Sequence, residues 1–188
     1  MDRRVFPLAL LALLAAAPAA ARADDLASLR GKIGATMHAA KSFVVTTTAT
    51  TGFRVVTTFA APDRYHSTLS YNGTTDVILI GPVAYISSDG RTYRKTDAPP
   101  EMLAAQGQFL NVPVDRALPD TVENGKTWGR FATTSSGLQK DQHLICTYDK
   151  QTYRIGACAN EGLTLAFSRY DDPANVVGVP AVVAAPGR

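Results

Sequence analysis

The stretch Phe53-Arg54-Val55-Val56-Thr57-Thr58-Phe59-Ala60-Ala61-Pro62-Asp63-Arg64-Tyr65-His66-Ser67-Thr68-Leu69-Ser70-Tyr71-Asn72-Gly73 decides the fold of this chain. Apolar side chains recur at Phe53, Val55 and Phe59, and again at Tyr65, Leu69 and Tyr71, with threonines, serines and charges between them. A period of two marks a half-buried strand, because successive side chains on a strand point to opposite faces. Pro62-Asp63 divides the run into two strands, and Asn72-Gly73 supplies the positive-φ residues of a tight hairpin. The stretch is therefore an antiparallel pair with one apolar face.

The same pattern extends in both directions. Phe43 and Val45 precede it, while Gly81-Pro82, Asp89-Gly90 and Asn124-Gly125 mark further turns. Strands are predicted near 42–50, 53–60, 64–71, 74–80, 83–88, 91–96, 126–134, 141–148, 152–158, 163–170 and 176–180. The alternation of Leu163, Leu165 and Phe167 with Thr164, Ala166 and Ser168 is the cleanest of these. Residues 117–122 read as a loop, and those from Ala181 onward as a frayed tail. Ahead of the strands, Leu26, Leu29, Ile33 and Met37 fall at steps of three and four and predict an amphipathic helix over 24–40. Gly31 and Gly34 weaken that helix but permit close approach to a sheet. Pro99 to Leu110 opens with two prolines and carries Met102, Leu103, Phe109 and Leu110, which makes a short amphipathic element between the two halves of the meander. It is either a core cap or a lid over a pocket, with Gly107 as a hinge. The fold class is mainly β (α+β), a curved antiparallel sheet of about eleven strands with an N-terminal and an inserted helix.

Residues 1–23 read as a cleavable export signal. Arg3 and Arg4 form the positive end, Val5 to Ala17 is an apolar core too short to span a bilayer, and Ala21-Arg22-Ala23 is a small-x-small cleavage site. Arg3-Arg4-Val5-Phe6 fits ordinary secretion or a twin-arginine route. Asp24, not a cysteine, stands directly after the cleavage site, so the expected product, 24–188, is one unanchored, non-membrane-spanning periplasmic domain. The full chain holds 19 basic and 16 acidic residues; the leader removes Arg3, Arg4 and Arg22 against Asp2, leaving 16 and 15. A net charge near +1 offers no footprint for nucleic acid. Cys146 and Cys158 bracket the polar turn Asp149-Lys150-Gln151-Thr152, so a hairpin would bring them within bonding reach in an oxidising compartment. Two buried free thiols are the other reading.

Catalytic signatures are not found. His38, His66 and His143 fall on a helix, beside a sheet corner and within a strand, at no metal-ligand spacing. Ser135-Ser136-Gly137 reads as a loop and Asp171-Asp172-Pro173 as a turn, and no glycine-rich phosphate loop opens a helix. The expectation is a non-enzymatic protein with neither cofactor nor metal.

The helix from Leu26 to Met37 leads into strands ending in Phe59-Ala60-Ala61-Pro62-Asp63-Arg64-Tyr65. A hairpin then leads to Ala84-Tyr85-Ile86 and Asp89-Gly90-Arg91, and the chain closes on Tyr170-Asp171-Asp172, Asn175 and Val179-Pro180. This arrangement resembles the LolA family of periplasmic lipoprotein carriers and related lipid-binding proteins. The resemblance implies an incomplete β-barrel whose concave side, covered by helices, accommodates acyl chains. It departs from the family at Ala61, where the carrier has an arginine that helps to hold its lid, and in the cysteine pair. A cargo other than that of the general lipoprotein shuttle is therefore expected.

Strand parity, independent of the resemblance, nominates the cavity lining. Phe53, Val55 and Phe59 share a face, Leu69 and Tyr71 join them, Leu163, Leu165 and Phe167 line the far half, and Met102, Leu103 and Phe109 lie above. Three functions stay open. One is a carrier or binder of a lipid or acylated protein, another an interaction module for envelope proteins with a filled core, and the third a hydrolase with dispersed catalytic residues.

Overall fold

The computed structural model of the protein describes residues 25–135 and 141–184, so residues 1–24 with the leader, 136–140 with Ser136-Gly137, and 185–188 lie outside the described residues. In chain order the elements are α1 (Leu26–Ala39), β1 (Ser42–Ala49), β2 (Arg54–Ala60), β3 (Arg64–Ser70), β4 (Thr74–Ile80), β5 (Val83–Ser87), β6 (Arg94–Asp97) and α2 (Pro100–Gly107). There follow β7 (Arg116–Glu123), β8 (Lys126–Ser135), β9 (Gln142–Asp149), β10 (Ile155–Ala159) and β11 (Leu163–Ser168).

Each predicted turn does its work in the hairpins. Asn124 and Gly125, both at positive φ, close the β7–β8 hairpin, and Gly81 at φ +54 with Pro82 closes β4–β5. The first six strands thus form one antiparallel meander and the last five another. They merge where β1 pairs with β11, Val44 to Ala49 running against Ser168 to Leu163. The result is one 11-stranded sheet in the order β6-β5-β4-β3-β2-β1-β11-β10-β9-β8-β7. With β6 and β7 at its two ends the sheet stays open, an incomplete barrel.

The strand assignment needs two corrections, which cancel in the count. Residues 117–122, expected to form a loop, belong to β7. Pro119 reads as a breaker, yet β7 is an edge strand and Pro119 falls within the register shift between Leu118 and Thr121, where its missing N–H leaves no ladder bond unmade. Conversely, 176–180 is not a strand. It crosses the outer face, where Val177 packs with Ile78, Tyr85 and Tyr93 and accepts a hydrogen bond from the Arg64 guanidinium at 3.1 Å. The segment beyond, expected to fray, is docked: Tyr93 N–H donates to Val182 O and Ala184 N–H to Tyr93 O, at 3.1 and 2.8 Å.

On the inner face Leu29, Ile33 and Met37 of α1 pack with Phe43, Val45, Phe59, Phe131 and Phe167 in the main core. Rings of Phe43 and Phe59 lie 4.9 Å apart, with Phe167 at 6.1 Å and Tyr170 at 5.7 Å from Phe43. Gly31 and Gly34 do not serve close approach, since a Cβ at either would meet nothing within 4 Å. Gly129 does: a Cβ there would lie 2.1 Å from Cζ of Tyr148, its register partner on β9. Among the described residues no helix is long and apolar enough to cross a membrane.

Cys146 and Cys158 are register partners on β9 and β10 and form a disulfide, which fits an extracytoplasmic location. At the same end of the sheet, Asp149 accepts from the Lys126 ammonium and from the N–H groups of Thr152 and Gln151, the latter two at 2.9 and 2.8 Å. Lys126 first, then Thr152, outweigh partial burial and hold the Asp149 carboxyl at about 2.

These contacts generate three expectations. Gly129→Ala should cost about 2 kcal/mol in urea unfolding, as overpacking does, whereas Gly34→Ala should stabilise the helix by about 0.5 kcal/mol. Because the bridged cysteines are 12 residues apart, a Cys146→Ala/Cys158→Ala double variant should lose about 3 kcal/mol, the loop-closure value for that spacing. Asp149 has a folded pKa below its ordinary 3.8, so its contribution is complete above that value and fades as the pH falls toward about 2. Asp149→Asn should therefore cost about 1 kcal/mol at neutral pH after solvent screening, and the gap to the parent protein should narrow across that acid window.

Candidate functional site

The register of the sheet resolves its concave face into rows. The first runs Ala84, Leu79, Tyr65, Phe59, Phe43, and the second Ile86, Val77, Ser67, Thr57, Val45, Phe167. A third crosses the seam between the two halves: Thr75, Leu69, Val55, Thr47, Leu165, Cys158, Cys146, Phe131, Ala117. The first two rows are mostly buried, with α2 over Ser67 and beside Tyr65 and Leu79. In the third row Leu69, Val55, Thr47 and Leu165 are only half-buried.

The residues nominated by parity divide among these environments. Phe59 and Phe167, 2% and 7% exposed, are part of the aromatic core beneath α1. Val55, Leu69 and Leu165 belong to the half-covered row, and Leu163 continues it beside Ala49. Phe53 and Tyr71 meet edge-on at 6.4 Å at neighbouring hairpin tips, where Tyr71 is 59% exposed. Its parity carries it toward the inner face, but its place in the turn after β3 leaves it in water. Met102 and Phe109 pack against the core from α2 and the turn that follows it, while Leu103 is 39% exposed.

α2 lies on the same inner face. Pro100 occupies its first turn, where a missing N–H is harmless. None of its side chains is fully buried. Gln106 Nε2 donates to Ser67 Oγ at 3.5 Å, and Ser67 Oγ lies 2.9 Å from Thr57 Oγ1, so a polar string crosses the second row beneath the helix. Gln106 Oε1 and, farther along the concave face, Thr133 Oγ1 are buried without a hydrogen-bond partner. Thr57 and Ser67 occupy inward positions between the apolar residues that sequence parity selected, so that gap in the pattern was the available signal. Nothing local marks Gln106.

Two concavities of about 390 Å³ each flank the helices. The first lies between α2 and the β2–β3 and β4–β5 corners, lined by Pro62, Asp63, Tyr65, Leu79, Leu103 and Gln106 among others. Burial, and secondarily the Asp63 carboxylate, raise the Tyr65 hydroxyl above the ordinary tyrosine value. The second lies between α1 and residues 110–115, where Arg30 Nε donates to Val114 O at 2.6 Å and His38 Nε2 meets Asn111 Oδ1 at 3.1 Å.

The remaining titratable groups are dispersed. His66 sits between β2 and β4 on the outer face, 3.5 Å from Asp76 but without a hydrogen bond at Nε2, and Asp76 accepts from Thr68 Oγ1 at 2.6 Å. His143 Nδ1 lies 3.2 Å from Thr134 Oγ1. Asp171 accepts from Lys41 N–H at 2.7 Å and pairs with Arg154, and Asp172 accepts from Ala174 N–H at 2.8 Å, so this acidic pair braces a turn. Among the described residues no group of three or more His, Cys, Asp or Glu is placed to hold a metal ion.

No protein-family profile matches the chain. Comparison with curated protein sequences also finds no match. Solved structures do match. The lipoprotein LppX of Mycobacterium tuberculosis superposes with a TM-score of 0.52 at 12% identity, covering 79% of this chain and 96% of LppX. LprF of Mycobacterium bovis gives 0.52 at 11% identity, covering 83% and 97%. At such identities the likeness is one of architecture. What this chain shares with LppX and LprF is its fold, the LolA-like incomplete β-barrel.

Proposed function

We propose that the protein is a non-enzymatic periplasmic carrier or binding protein that holds the acyl chains of a lipid or acylated partner against its concave face. The observation that carries this reading is the half-covered row Leu69, Val55, Leu165 with Leu163, an apolar strip on the side of the sheet where α2 rests without one fully buried side chain. Apolar surface left half-hydrated is an incomplete burial, and an acyl chain completes it at about 0.8 kcal/mol per buried CH₂. α2 can move aside at small cost because only partly buried contacts, such as Met102 on the core, hold it. Likeness to a lipoprotein of the same fold supports the reading at the level of architecture. Export through residues 1–23 and the disulfide are consistent with the compartment.

A second reading has its own observation. Phe43, Phe59, Phe131 and Phe167 fill the face beneath α1 with the chain's own side chains, as expected of an envelope interaction module that carries no cargo.

Organic-solvent extraction of the purified protein followed by mass spectrometry, with titration by a fluorescent fatty acid, separates the two. The carrier reading expects co-purified lipid or saturable uptake, weakened roughly tenfold by Leu69→Ser, the magnitude that losing about 1.4 kcal/mol of apolar contact produces. Neither lipid nor uptake would overturn it, and a stable complex in pull-downs from envelope extracts would then favour the interaction module.

A further inference from the structure

We propose that the concavity between α2 and the β2–β3 and β4–β5 corners binds the primary ammonium of a lipid head group, with Asp63, Tyr65 and Gln106 as its acceptors. The proposal rests on the carrier reading for where the acyl chain of that lipid goes, but the head-group contacts stand on this concavity alone.

The site joins an apolar wall to an unbalanced set of polar atoms. Pro62, Leu79, Pro82 and Leu103 supply the wall of a concavity of about 390 Å³, and Asp63, Tyr65 and Gln106 line the same space. Gln106 is held by its own hydrogen bonding. Its Nε2 donates to Ser67 Oγ at 3.5 Å, and Ser67 is paired in turn with Thr57, which leaves Oε1 buried as an acceptor without a donor. Such a group is costly unless something donates to it. Asp63 has no ion pair and no side-chain hydrogen bond among the described residues. Its carboxylate lies against the β4–β5 corner, where Gly81 at φ +54 leaves the space: a Cβ there would stand 3.2 Å from Asp63 Oδ2. Tyr65 adds a phenol oxygen and a ring edge to the same wall.

A carboxylate without an ion pair, an amide oxygen without a donor, a phenol that can accept as well as donate, and no cation among the lining residues select the ligand chemistry. A primary ammonium carries three donors, no acceptor and one positive charge, and it is further attracted to an aromatic ring. A phosphate or carboxylate brought to the same place would meet the Asp63 charge and leave Gln106 Oε1 without a donor. A hydroxyl would satisfy one acceptor and leave the charge unused. Leu79 and Tyr65, register partners in the first row of the concave face, close the inner side of the concavity as an apolar wall against which the first methylenes beyond the head group can lie.

Two measurements test the site. In an NMR titration, phosphoethanolamine should shift the amides of residues 62–65, 81 and 103–107 and the Gln106 side-chain amide, whereas glycerol 3-phosphate should not. Asp63→Asn and Gln106→Leu should each abolish those shifts, and the charge-matched Asp141→Asn should leave them in place. In competition against a bound fluorescent fatty acid, phosphatidylethanolamine should displace the probe at a roughly tenfold lower concentration than phosphatidylglycerol, as one desolvated charge-assisted contact would produce. Asp63→Asn should bring that ratio toward one. Equal competition by the two head groups, or shifts that are absent here or equal for both small compounds, overturns the ammonium site while leaving the carrier reading intact. Failure of the fatty acid to bind, with selective phosphoethanolamine shifts retained, removes the carrier reading and supports the head-group site.

Discussion

The antiparallel pairing of β1 with β11 is the contact on which the architecture depends. It joins residues 44–49 to residues 163–168 and turns two meanders, each with its own exposed edges, into one continuous sheet. Because β1 also pairs with β2, it becomes an interior strand, and its inward Phe43 and Val45 stand at the centre of the concave face. Only Ala40 and Lys41 separate α1 from β1. The helix is consequently delivered to that centre, where Leu29, Ile33 and Met37 meet aromatic rings contributed by both halves. A seam between segments so distant in sequence carries the entropic cost of closing the intervening chain, which the packing it brings together must offset.

Packing beneath α1 and the sparser cover of the third row are two consequences of one geometry. A helix of 14 residues cannot cover an 11-stranded curved sheet. What it leaves is shared between α2, the segment after it and water. The inner face is accordingly graded, tightly packed around Phe43 and half-covered around Val55, Leu69 and Leu165. The polar string Thr57, Ser67, Gln106 lies beneath α2, where the sheet's apolar rows are interrupted. The outer face is treated differently, since the chain after β11 folds back over it and covers Ile78 and Tyr85 with Val177.

Most of the sheet was legible because its signals are local. Alternation at Phe53, Val55, Phe59 and at Leu163, Leu165, Phe167 states strand and face together, and Asn124-Gly125 states a hairpin by backbone sterics alone. β7 was not legible because Pro119 opposes it locally and is tolerated only by the edge position and the register shift. Val176 to Pro180 has strand-like composition but finds no ladder partner and serves as a strap. Of the candidate site, parity located Val55, Leu69, Leu163 and Leu165 on the inner face. It could not separate them from Phe59 and Phe167, because exposure is set by where α1 lies and not by the strand's own residues. The Asp63, Tyr65, Gln106 grouping was beyond it, since Gln106 reaches Ser67 from a separate element 39 residues away.

The periodicity and turn chemistry of the chain were enough to specify the N-terminal helix and ten of the eleven antiparallel strands, and the short spacing of Cys146 and Cys158 was enough to suggest their bridge. These properties depend on neighbours within a few residues, whose steric and solvation preferences are written in the residue types themselves. Which strand closes the seam, where the tail docks, and which apolar side chains are packed while others stay half-covered were decided by tertiary contact alone. Those outcomes are free-energy differences between surfaces brought together from opposite ends of the chain, and no local window contains both partners.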